Sequence, residues 1–486
     1  MLSTLKRWIR GGKTRTRKTK RPERRFRPSV EALEGRLVPS VFQWEGTVSR
    51  DWSELENWSV GGQSTEVLPG ESDSVLIAAD VTAERTPQVP AGHAAVAKSI
   101  TFVGSVSTPR AFDIEGSLRL KGATTDWNQD NWTIGYSTGS GDHRLELDNA
   151  VLKLRGGGVA LDQAWVYGGG GALKFLDDFN SWIVPSTNIG RKPDGTYSSG
   201  VLEVGEQGAE RLVEHVYSAT TGFWIWGNGS TAGEMNFLQD QGCDVAGGVY
   251  DAYGIGVFGG KVQIYAQTDE TEKQIGAPIT IDGDTSVLKV HEDAYVFFSA
   301  ASTTIDINNG ELQLWGGSYT RSYALIDVHG STSRITAYGA ILNGVDSVSL
   351  KSSLAVRNNG RVYVGDDQTA KYVTLTLIGD GGANTMILGD CNIYMTVSGG
   401  TNGRCSLFVV QDDISISTSK VATFVINTIE SAPTVGFTYD VFKWQGNFNY
   451  GGSYGTRSVT FIGFGSTSPW EWGWHSTKKL WATYQT

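Results

Sequence analysis

One short pattern recurs along this chain and limits its fold more than any other feature. A glycine, a variable residue, an aliphatic residue, a polar residue and an apolar residue follow one another in segments 116–120, 171–175, 200–204, 260–264, 310–314 and 360–364. The glycines lie 55, 29, 60, 50 and 50 residues apart. These intervals are near one or two multiples of ~25–30 residues, the length of one β-solenoid coil, so the pattern predicts stacked repeat units.

Alternation within each segment predicts which side chains face the interior of such a stack. The second apolar residues should form buried ladders along one axis: Leu120, Phe175, Val204, Ile264, Leu314 and Val364. The polar residues should point outwards: Arg119, Lys174, Glu203, Gln263, Gln313 and Tyr363. Two of the later segments follow Asn-Asn pairs at 308–309 and 358–359, which tolerate the positive φ of a sharp turn.

Composition also favours strands joined by tight turns. The 486 residues include 62 glycines, and only 19% are charged. We therefore predict an all-β, elongated parallel β-helix (β-solenoid) with aromatic end caps and a disordered basic N-terminus. Residues 1–40 form the basic segment, residues 41–435 the body with a Trp-rich opening module at 41–80, and residues 436–486 the closing coil and C-terminal cap. The competing fold is a chain of antiparallel β-sandwiches with hairpins at the same turns.

Charge is divided unevenly between the N-terminus and the body. Residues 1–40 hold 13 Lys or Arg and 3 Asp or Glu, whereas the remaining 446 residues hold 28 and 48. An acidic body repels phosphate backbones, so we expect no nucleic-acid partner for it. The basic block is typical of a targeting segment or a solvated tail, with a nucleic-acid arm as the alternative.

Cysteine, histidine and hydropathy patterns give few further candidates. The three cysteines form no CxxC pair, and the histidines lack metal-site spacing, so we expect no metal and no cofactor. A disulfide between Cys391 and Cys405 is one hypothesis, with Cys243 as a buried free thiol. No apolar run approaches ~18 residues, so no transmembrane helix is expected.

The end of the basic segment carries a more specific signal. Residues 26–40 read FRPSVEALEGRLVPS, which resembles the LEPR-XLL segment near the start of many exported proteins of planctomycete bacteria. The matching positions are Leu33, Glu34, Arg36, Leu37 and Val38, with Gly35 in place of the family's Pro and Val38 in place of its Leu. The resemblance implies a sorting signal read by export machinery, and a cell-surface or extracellular location.

Tryptophans mark both ends of the predicted body. Trp44, Trp52 and Trp58 precede a Pro-Gly turn at 69–70 and the alternating segment 74–77, an order similar to the opening module of autotransporter passenger-like solenoids. Segments 436–442 and 446–448 resemble the closing coil of such solenoids, and Trp470, Trp472 and Trp474 follow. Because a parallel stack exposes an apolar cross-section at each end, we expect these indoles to cap it, with glycan binding as the alternative.

Catalysis has little support in the sequence. Glycoside hydrolysis needs two carboxylates facing each other, whereas the adjacent pairs at 177–178, 366–367 and 412–413 would alternate sides on a strand. We therefore predict a non-catalytic, exported structural or adhesion protein, whose partner is a cell-envelope or extracellular polysaccharide. The alternatives are a carbohydrate-active enzyme (a polysaccharide lyase or hydrolase) and a glycan-binding module on the same scaffold.

Overall fold

Short β-strands make up nearly all the regular structure of this protein. The computed structural model describes residues 40–78, 81–103, 110–127, 132–135, 141–155, 158–176, 181–205, 222–228, 230–238, 249–250, 254–266, 273–276, 278–298, 305–322, 325–339, 346–365, 372–379, 386–398, 405–429, 435–453, 455–463, 470–475 and 477–485. These residues contain no α-helix, and their only helical turns are the 3-10 segments Leu55–Asn57 and Ala83–Arg85. No described helix is long and apolar enough to cross a membrane.

The strands are short because each spans one side of a coil. In the first half of the chain they are β1 Val41–Trp44, β2 Trp58–Val60, β3 Gln63–Ser64, β4 Ser74–Ala78, β5 Gln88–Val89, β6 Ala94–Ala97, β7 Ser99–Val103, β8 Arg110–Ile114, β9 Ser117–Lys121, β10 Thr124–Trp127, β11 Trp132–Gly135, β12 Arg144–Asp148, β13 Val151–Leu154, β14 Gly158–Ala160, β15 Gln163–Tyr167, β16 Ala172–Phe175, β17 Ser181–Ile183, β18 Ser186–Ile189, β19 Gly200–Val204, β20 Gly222–Trp226, β21 Gly233–Phe237, β22 Val249–Tyr250, β23 Gly254–Phe258 and β24 Lys261–Ile264.

The second half continues in the same way, with longer strands towards the end. These strands are β25 Lys273–Ile275, β26 Ile279–Asp282, β27 Val287–Val290, β28 Tyr295–Phe298, β29 Ile305–Asn308, β30 Glu311–Trp315, β31 Tyr319–Ser322, β32 Ile326–His329, β33 Arg334–Tyr338, β34 Asp346–Lys351, β35 Leu354–Arg357, β36 Arg361–Val364, β37 Val373–Ile378, β38 Met386–Leu388, β39 Cys391–Ser398, β40 Leu407–Val410, β41 Ile414–Ile416, β42 Val421–Ile429, β43 Thr438–Trp444, β44 Phe448–Asn449, β45 Thr456–Gly463, β46 Trp470–His475 and β47 Lys479–Tyr484.

Successive strands visit three faces in turn. The first face is a 14-stranded sheet that runs from β6 and β9 to β41 and β44. The second face is a 13-stranded sheet from β10 to β45, and the five-stranded sheet β3-β2-β1-β4-β7 precedes it, with β7 beside β10. The third face holds the five-stranded sheet from β5 to β17 and the ten-stranded sheet from β22 to β46.

Pairing within the faces is parallel along the body. Antiparallel pairs between the described strands occur at the two ends, between β1, β2 and β3 and between β43, β47 and β46. The chain is therefore a parallel β-helix, as the spacing of the glycine segments predicts, and the sandwich alternative is wrong. The body and the closing segment belong to one compact unit, Pro39–Thr486.

The coils vary in length more than the sequence period suggests. On the first face Leu118 pairs with Leu145 and Leu145 with Ala164, giving coils of 27 and 19 residues. Thr187 pairs with Phe223, 36 residues later. Extra residues leave the stack as corner loops, such as the turn closed by the antiparallel bridge between Arg191 and Tyr197. Corner loops therefore absorb length without disturbing the strand register.

The predicted buried ladder exists, with one residue on a different face. Five of the six predicted inward residues lie in one column of the second face and are fully buried: Phe175, Val204, Ile264, Leu314 and Val364. Leu120 is also buried, but it pairs with Leu147 on the first face. The glycine pattern is typical of any strand that follows a corner of the coil. Because each coil has several corners, the pattern does not show to which face a strand belongs.

The turn residues before these strands have two separate roles. Asn309, Asn358 and Asn359 adopt φ of 60°, 50° and 68°, as the Asn-Asn-Gly turns predict. The following glycines are required for close approach, because a Cβ on Gly310 would lie 2.4 Å from Cγ2 of Ile281 and one on Gly360 only 2.5 Å from the carbonyl oxygen of Val328. The corner therefore needs asparagine for its dihedral angles and glycine for its packing.

The proposed disulfide between Cys391 and Cys405 is wrong. Both cysteines are free thiols. Cys391 begins β39, whereas Cys405 bridges to Val397 near the other end of that strand, so about 20 Å of extended chain separates them. A disulfide joins Cα atoms less than ~7 Å apart. Cys243 lies outside the described residues.

Candidate functional site

Three buried indoles close the N-terminal end of the stack. Trp44, Trp52 and Trp58, which we call the N-terminal plug, are each 1% exposed. The ring centroids of Trp52 and Trp58 lie 4.6 Å apart, and those of Trp52 and Phe112 lie 5.8 Å apart with nearly parallel planes. The indole N–H of Trp58 donates to the carbonyl oxygen of Trp52 at 2.8 Å. A glycan has no access to these rings in this structure.

A strand hairpin covers the C-terminal end. β46 and β47, which we call the C-terminal cap, pair antiparallel and extend the third face. The Trp470 ring stacks on the Phe461 ring, with their centroids 4.8 Å apart. The ring centroid of Trp474 lies 5.1 Å from that of the buried Phe424. Trp472, between them on the same side of β46, is 43% exposed. These indoles therefore cover the last coil and partly contact solvent.

The structure does not describe the predicted sorting segment. Leu33, Glu34, Arg36, Leu37 and Val38 lie outside the described residues. The predicted sorting role consequently depends on the sequence resemblance alone.

Of the three adjacent acidic pairs, only the one at 412–413 is described. Asp412 accepts a hydrogen bond from the backbone N–H of Asp413 at 2.9 Å. Asp413 in turn accepts one from the backbone N–H of Asn447 in the next coil at 2.5 Å. This pair holds a corner between coils. The pairs at 177–178 and 366–367 lie outside the described residues.

The most buried of the described carboxylates on the second face accepts hydrogen bonds from an arginine and a threonine. Glu311 is 5% exposed and accepts hydrogen bonds from Arg334 at 2.9 Å and from Thr336 at 2.5 Å, both in the next coil. Burial alone would raise the pKa of Glu311. The hydrogen bonds from Arg334, Thr336 and Gln313 together outweigh this effect of burial, so the pKa of Glu311 lies below its ordinary value. Glu311 is thus a fixed anion that joins coils.

A matching carboxylate lies on the first face. Glu146 is 1% exposed and accepts hydrogen bonds from Nε of Arg119 at 2.9 Å and from the phenol of Tyr167 at 2.7 Å. Burial and this hydrogen bond raise the pKa of Tyr167, which remains a proton donor at neutral pH. Arg119 and Tyr167 belong to the neighbouring coils on either side, so Glu146 bridges three coils.

Two stacked aromatic pairs, in different columns of the sheet, lie on the outside of the second face, and we call them the second-face ladder. Trp315 stacks on Tyr338 at 4.7 Å, and Tyr363 stacks on Tyr394 at 4.3 Å with an interplanar angle of 5°. Lys289 places its ammonium 4.3 Å from the Trp315 ring centroid. Because neighbouring coils cover the ring faces, this ladder serves mainly to hold coils together.

A different aromatic group lies on the first face. Trp165, Trp224, Trp226 and Phe258 are half-buried outward residues of β15, β20 and β23, and we call them the first-face aromatic surface. Trp226 stacks on Phe258 at 4.9 Å, and the guanidinium of Arg191 lies 4.6 Å from the Trp226 ring centroid.

Trp224 packs against the backbone of two glycines, whereas Trp226 and Phe258 stack on each other. A Cβ on Gly256 would lie 2.5 Å from Cε3 of Trp224, and one on Gly222 would lie 3.2 Å from its Cζ2. The indole therefore lies over two backbone positions that only glycine leaves open. Sequence reasoning missed this surface, although the alternation of Trp224 and Trp226 around the inward Ile225 was a usable signal.

The described residues contain no group of three or more His, Cys, Asp or Glu side chains able to hold a metal ion. Three faces of parallel strands, an aromatic plug and an aromatic cap define a parallel β-helix protein. No protein-family model matches this chain, and no curated protein sequence matches it either. The class is therefore defined by the fold itself.

Proposed function

We propose that this chain is an exported, non-catalytic β-solenoid that serves as a structural or adhesive part of the cell envelope or its exterior. The observation that carries the proposal is the commitment of its buried outer carboxylates to inter-coil contacts. Glu146 and Glu311 each bond to side chains from neighbouring coils. Groups used in this way stabilise a long, rigid surface.

The ionised state of Glu311 argues against its use in glycoside hydrolysis. That reaction needs one carboxyl group with a raised pKa, to protonate the leaving oxygen, and a second carboxylate facing it. The pKa of Glu311 is instead lowered, and the pKa values of Asp194 and Asp390 are lowered by hydrogen bonds from neighbouring side chains and backbone. Carboxyl groups with lowered pKa values are poor proton donors at neutral pH, which supports a non-catalytic role.

Export is supported by the N-terminal sequence. The segment at 26–40 resembles the LEPR-XLL sorting segment, and the basic residues before it are typical of targeting regions. The cell-envelope or extracellular polysaccharide is the partner that such a location offers.

Deletion of residues 1–40 tests the location. We expect the full chain in the envelope or extracellular fraction and the truncated chain inside the cell. The double variant Leu33→Ala, Leu37→Ala, which keeps the basic residues, should mislocalise in the same way. Unchanged fractionation of both variants would contradict the sorting role.

Incubation with polysaccharides tests the absence of catalysis. We expect the full chain to release no reducing ends and no unsaturated products from neutral or acidic polysaccharides. Release that disappears in Glu311→Gln or Glu146→Gln would overturn the non-catalytic proposal and favour the enzyme alternative.

A further inference from the structure

We propose that Trp165 and Trp224 form a binding site for a neutral, extended β-1,4-linked polysaccharide that lies along the solenoid axis. This inference rests on the proposed location outside the cell, and it names the ligand class of the surface. The two outer aromatic groups of the protein differ in how their ring faces are covered.

Flat ring faces are needed to bind sugars. One side of a pyranose ring carries C–H bonds that pack against the negative face of an aromatic ring. In the second-face ladder the faces of Tyr363 and Tyr394 cover each other. Trp224 instead has backbone glycines beneath it, and its aromatic neighbour Phe258 is tilted by 36° with the ring centroids 6.1 Å apart. Trp224 is half-buried, so its second face is directed away from the sheet.

The spacing of the two indoles fits an extended chain of sugars. Trp165 pairs with Asn188, and Asn188 pairs with Trp224, so the three residues form one column across three coils. Strands in a sheet are ~4.8 Å apart, which places the two indoles about 10 Å from each other along the axis. This separation is close to the length of two residues in an extended β-1,4-linked polysaccharide.

Neighbouring contacts fix the surface before any ligand arrives. The indole N–H of Trp226 donates to Oδ1 of Asn188 at 3.1 Å, and Nδ2 of Asn188 donates to Ser186 at 3.0 Å. The indole N–H of Trp165 donates to Gln163 at 3.2 Å. Side chains held in this way lose little conformational entropy on binding, which favours affinity.

Charge selects among polysaccharides. Residues 41–486 hold 28 Lys or Arg and 48 Asp or Glu, so the body repels anionic chains at long range. The four residues of the first-face aromatic surface are uncharged, and the Arg191 guanidinium lies over Trp226, outside the proposed pair of Trp165 and Trp224. A neutral polysaccharide is therefore the favoured occupant.

Binding to insoluble polysaccharides tests the proposal with the full chain. Microcrystalline cellulose and chitin are the neutral β-1,4-linked probes, and polygalacturonate is the anionic comparison. We expect the protein to bind at least one neutral probe and to bind polygalacturonate more weakly. Trp224→Ala should lower the affinity for the neutral probe about tenfold or more, as expected for a central aromatic contact.

Gly256→Ala is the sharper variant, because it removes no aromatic ring. Its new methyl group would lie 2.5 Å from Cε3 of Trp224 and 2.5 Å from Cε2 of Phe258. It would displace both rings of the surface, so we expect a loss of affinity comparable with that of Trp224→Ala. Trp472→Ala, which removes an exposed indole at the C-terminal cap, is the matched control and should bind like the wild type. Thermal melts of each variant show whether it is folded.

Two results would overturn the site. One is a wild-type chain that binds neither neutral probe. The other is binding that survives Trp224→Ala and Gly256→Ala, or that is lost in Trp472→Ala instead. Neither result bears on the fractionation experiments, so failure of this site and failure of the exported role can be told apart.

Discussion

The two ends of the solenoid solve the same problem in different ways. Each end must cover an apolar cross-section that the next coil would otherwise bury. At the N-terminal end the indoles of Trp44, Trp52 and Trp58 are fully inside, whereas Trp472 in the C-terminal cap is 43% exposed. The indoles of the plug are thus part of the core. The indoles of the cap are only partly buried, although Leu480 and Ala482 of β47 belong to the core.

The difference extends to how polar groups are accommodated. In the plug, the indole N–H of Trp44 donates to the carbonyl oxygen of Arg85 at 2.7 Å, so a buried donor is satisfied by backbone. At the C-terminal end, Arg457 pairs with the buried Ala422 of the preceding coil, so its side chain starts from the inner side of the sheet. Its guanidinium lies 3.5 Å from the ring centroid of Tyr450 and 3.9 Å from that of Trp474, and burial lowers its pKa.

We expect the C-terminal end to open more readily than the N-terminal end, because its indoles are only partly buried. Local opening needs least free energy where few apolar side chains are fully buried. The cap also contacts the rest of the protein mainly through one strand pair, β43 with β47, and through its aromatic face.

Removal of one plug indole should have the largest effect. Trp52→Ala is expected to lower the free energy of unfolding by about 3–5 kcal/mol, because it leaves a cavity between Trp44, Trp58 and Phe112. Denaturant titrations followed by far-UV circular dichroism measure the change. Trp52→Phe keeps an aromatic ring and should lose less. A loss below about 1 kcal/mol in Trp52→Ala would show that the plug is not part of the core.

The equivalent change in the C-terminal cap should cost less. Trp474→Ala is expected to lower the free energy of unfolding by about 1–2 kcal/mol, because the indole is half-buried and its loss uncovers Arg457 and Phe424. Trp472→Ala, on the same strand face, should change it by less than about 0.5 kcal/mol. If Trp474→Ala costs as much as Trp52→Ala in the same titration, the two ends are equally part of the core.

Alkaline pH should distinguish the ends further. Burial, and secondarily the neighbouring Cys405, raise the pKa of Tyr439 from 10.0 to about 12, and Tyr439 lies beneath the C-terminal cap beside Trp470. Because the folded pKa is the higher one, the stabilisation is complete below pH 10 and is lost as the pH rises towards 12. Removal of this phenol should therefore make stability less sensitive to alkali.

Melts at pH 9 and pH 11 measure the effect. The wild type should lose about 1 kcal/mol more than Tyr439→Phe between the two pH values. Trp52→Phe, at the other end, should keep the pH dependence of the wild type. Equal pH dependence in Tyr439→Phe and the wild type would contradict the assignment of this effect to the C-terminal end.

The stacking of coils was predictable from sequence, but the assignment of strands to faces was not. The glycine segments correctly predicted parallel stacking and the burial of Leu314 and Val364. They did not show that Leu120 belongs to the first face, since the same turn chemistry precedes strands at more than one corner. Face assignment depends on coil lengths, and corner loops change those lengths freely.

Variable coil length also explains why the sequence did not predict the first-face aromatic surface. Trp165 and Trp224 are 59 residues apart in the sequence, yet only two coils apart in the stack. No regular period would bring them together, because the two coils between them are 23 and 36 residues long. The end tryptophans were easier to find because they cluster locally in the sequence.

The smallest effect on stability is expected at the exposed edge of the last strand. β45 is an eight-residue edge strand among the described residues, and its Ile462 is 38% exposed, whereas the outer strand β3 at the other end has two exposed polar residues. A long unpaired edge strand favours pairing with another strand, and lysine opposes it. Ile462→Lys should therefore reduce concentration-dependent self-association in sedimentation experiments while changing the free energy of unfolding by less than about 0.5 kcal/mol. Val41→Lys is the matched control, because Val41 is exposed but β1 is paired on both sides. If Val41→Lys reduced association as much as Ile462→Lys, the two ends would not differ as interaction surfaces.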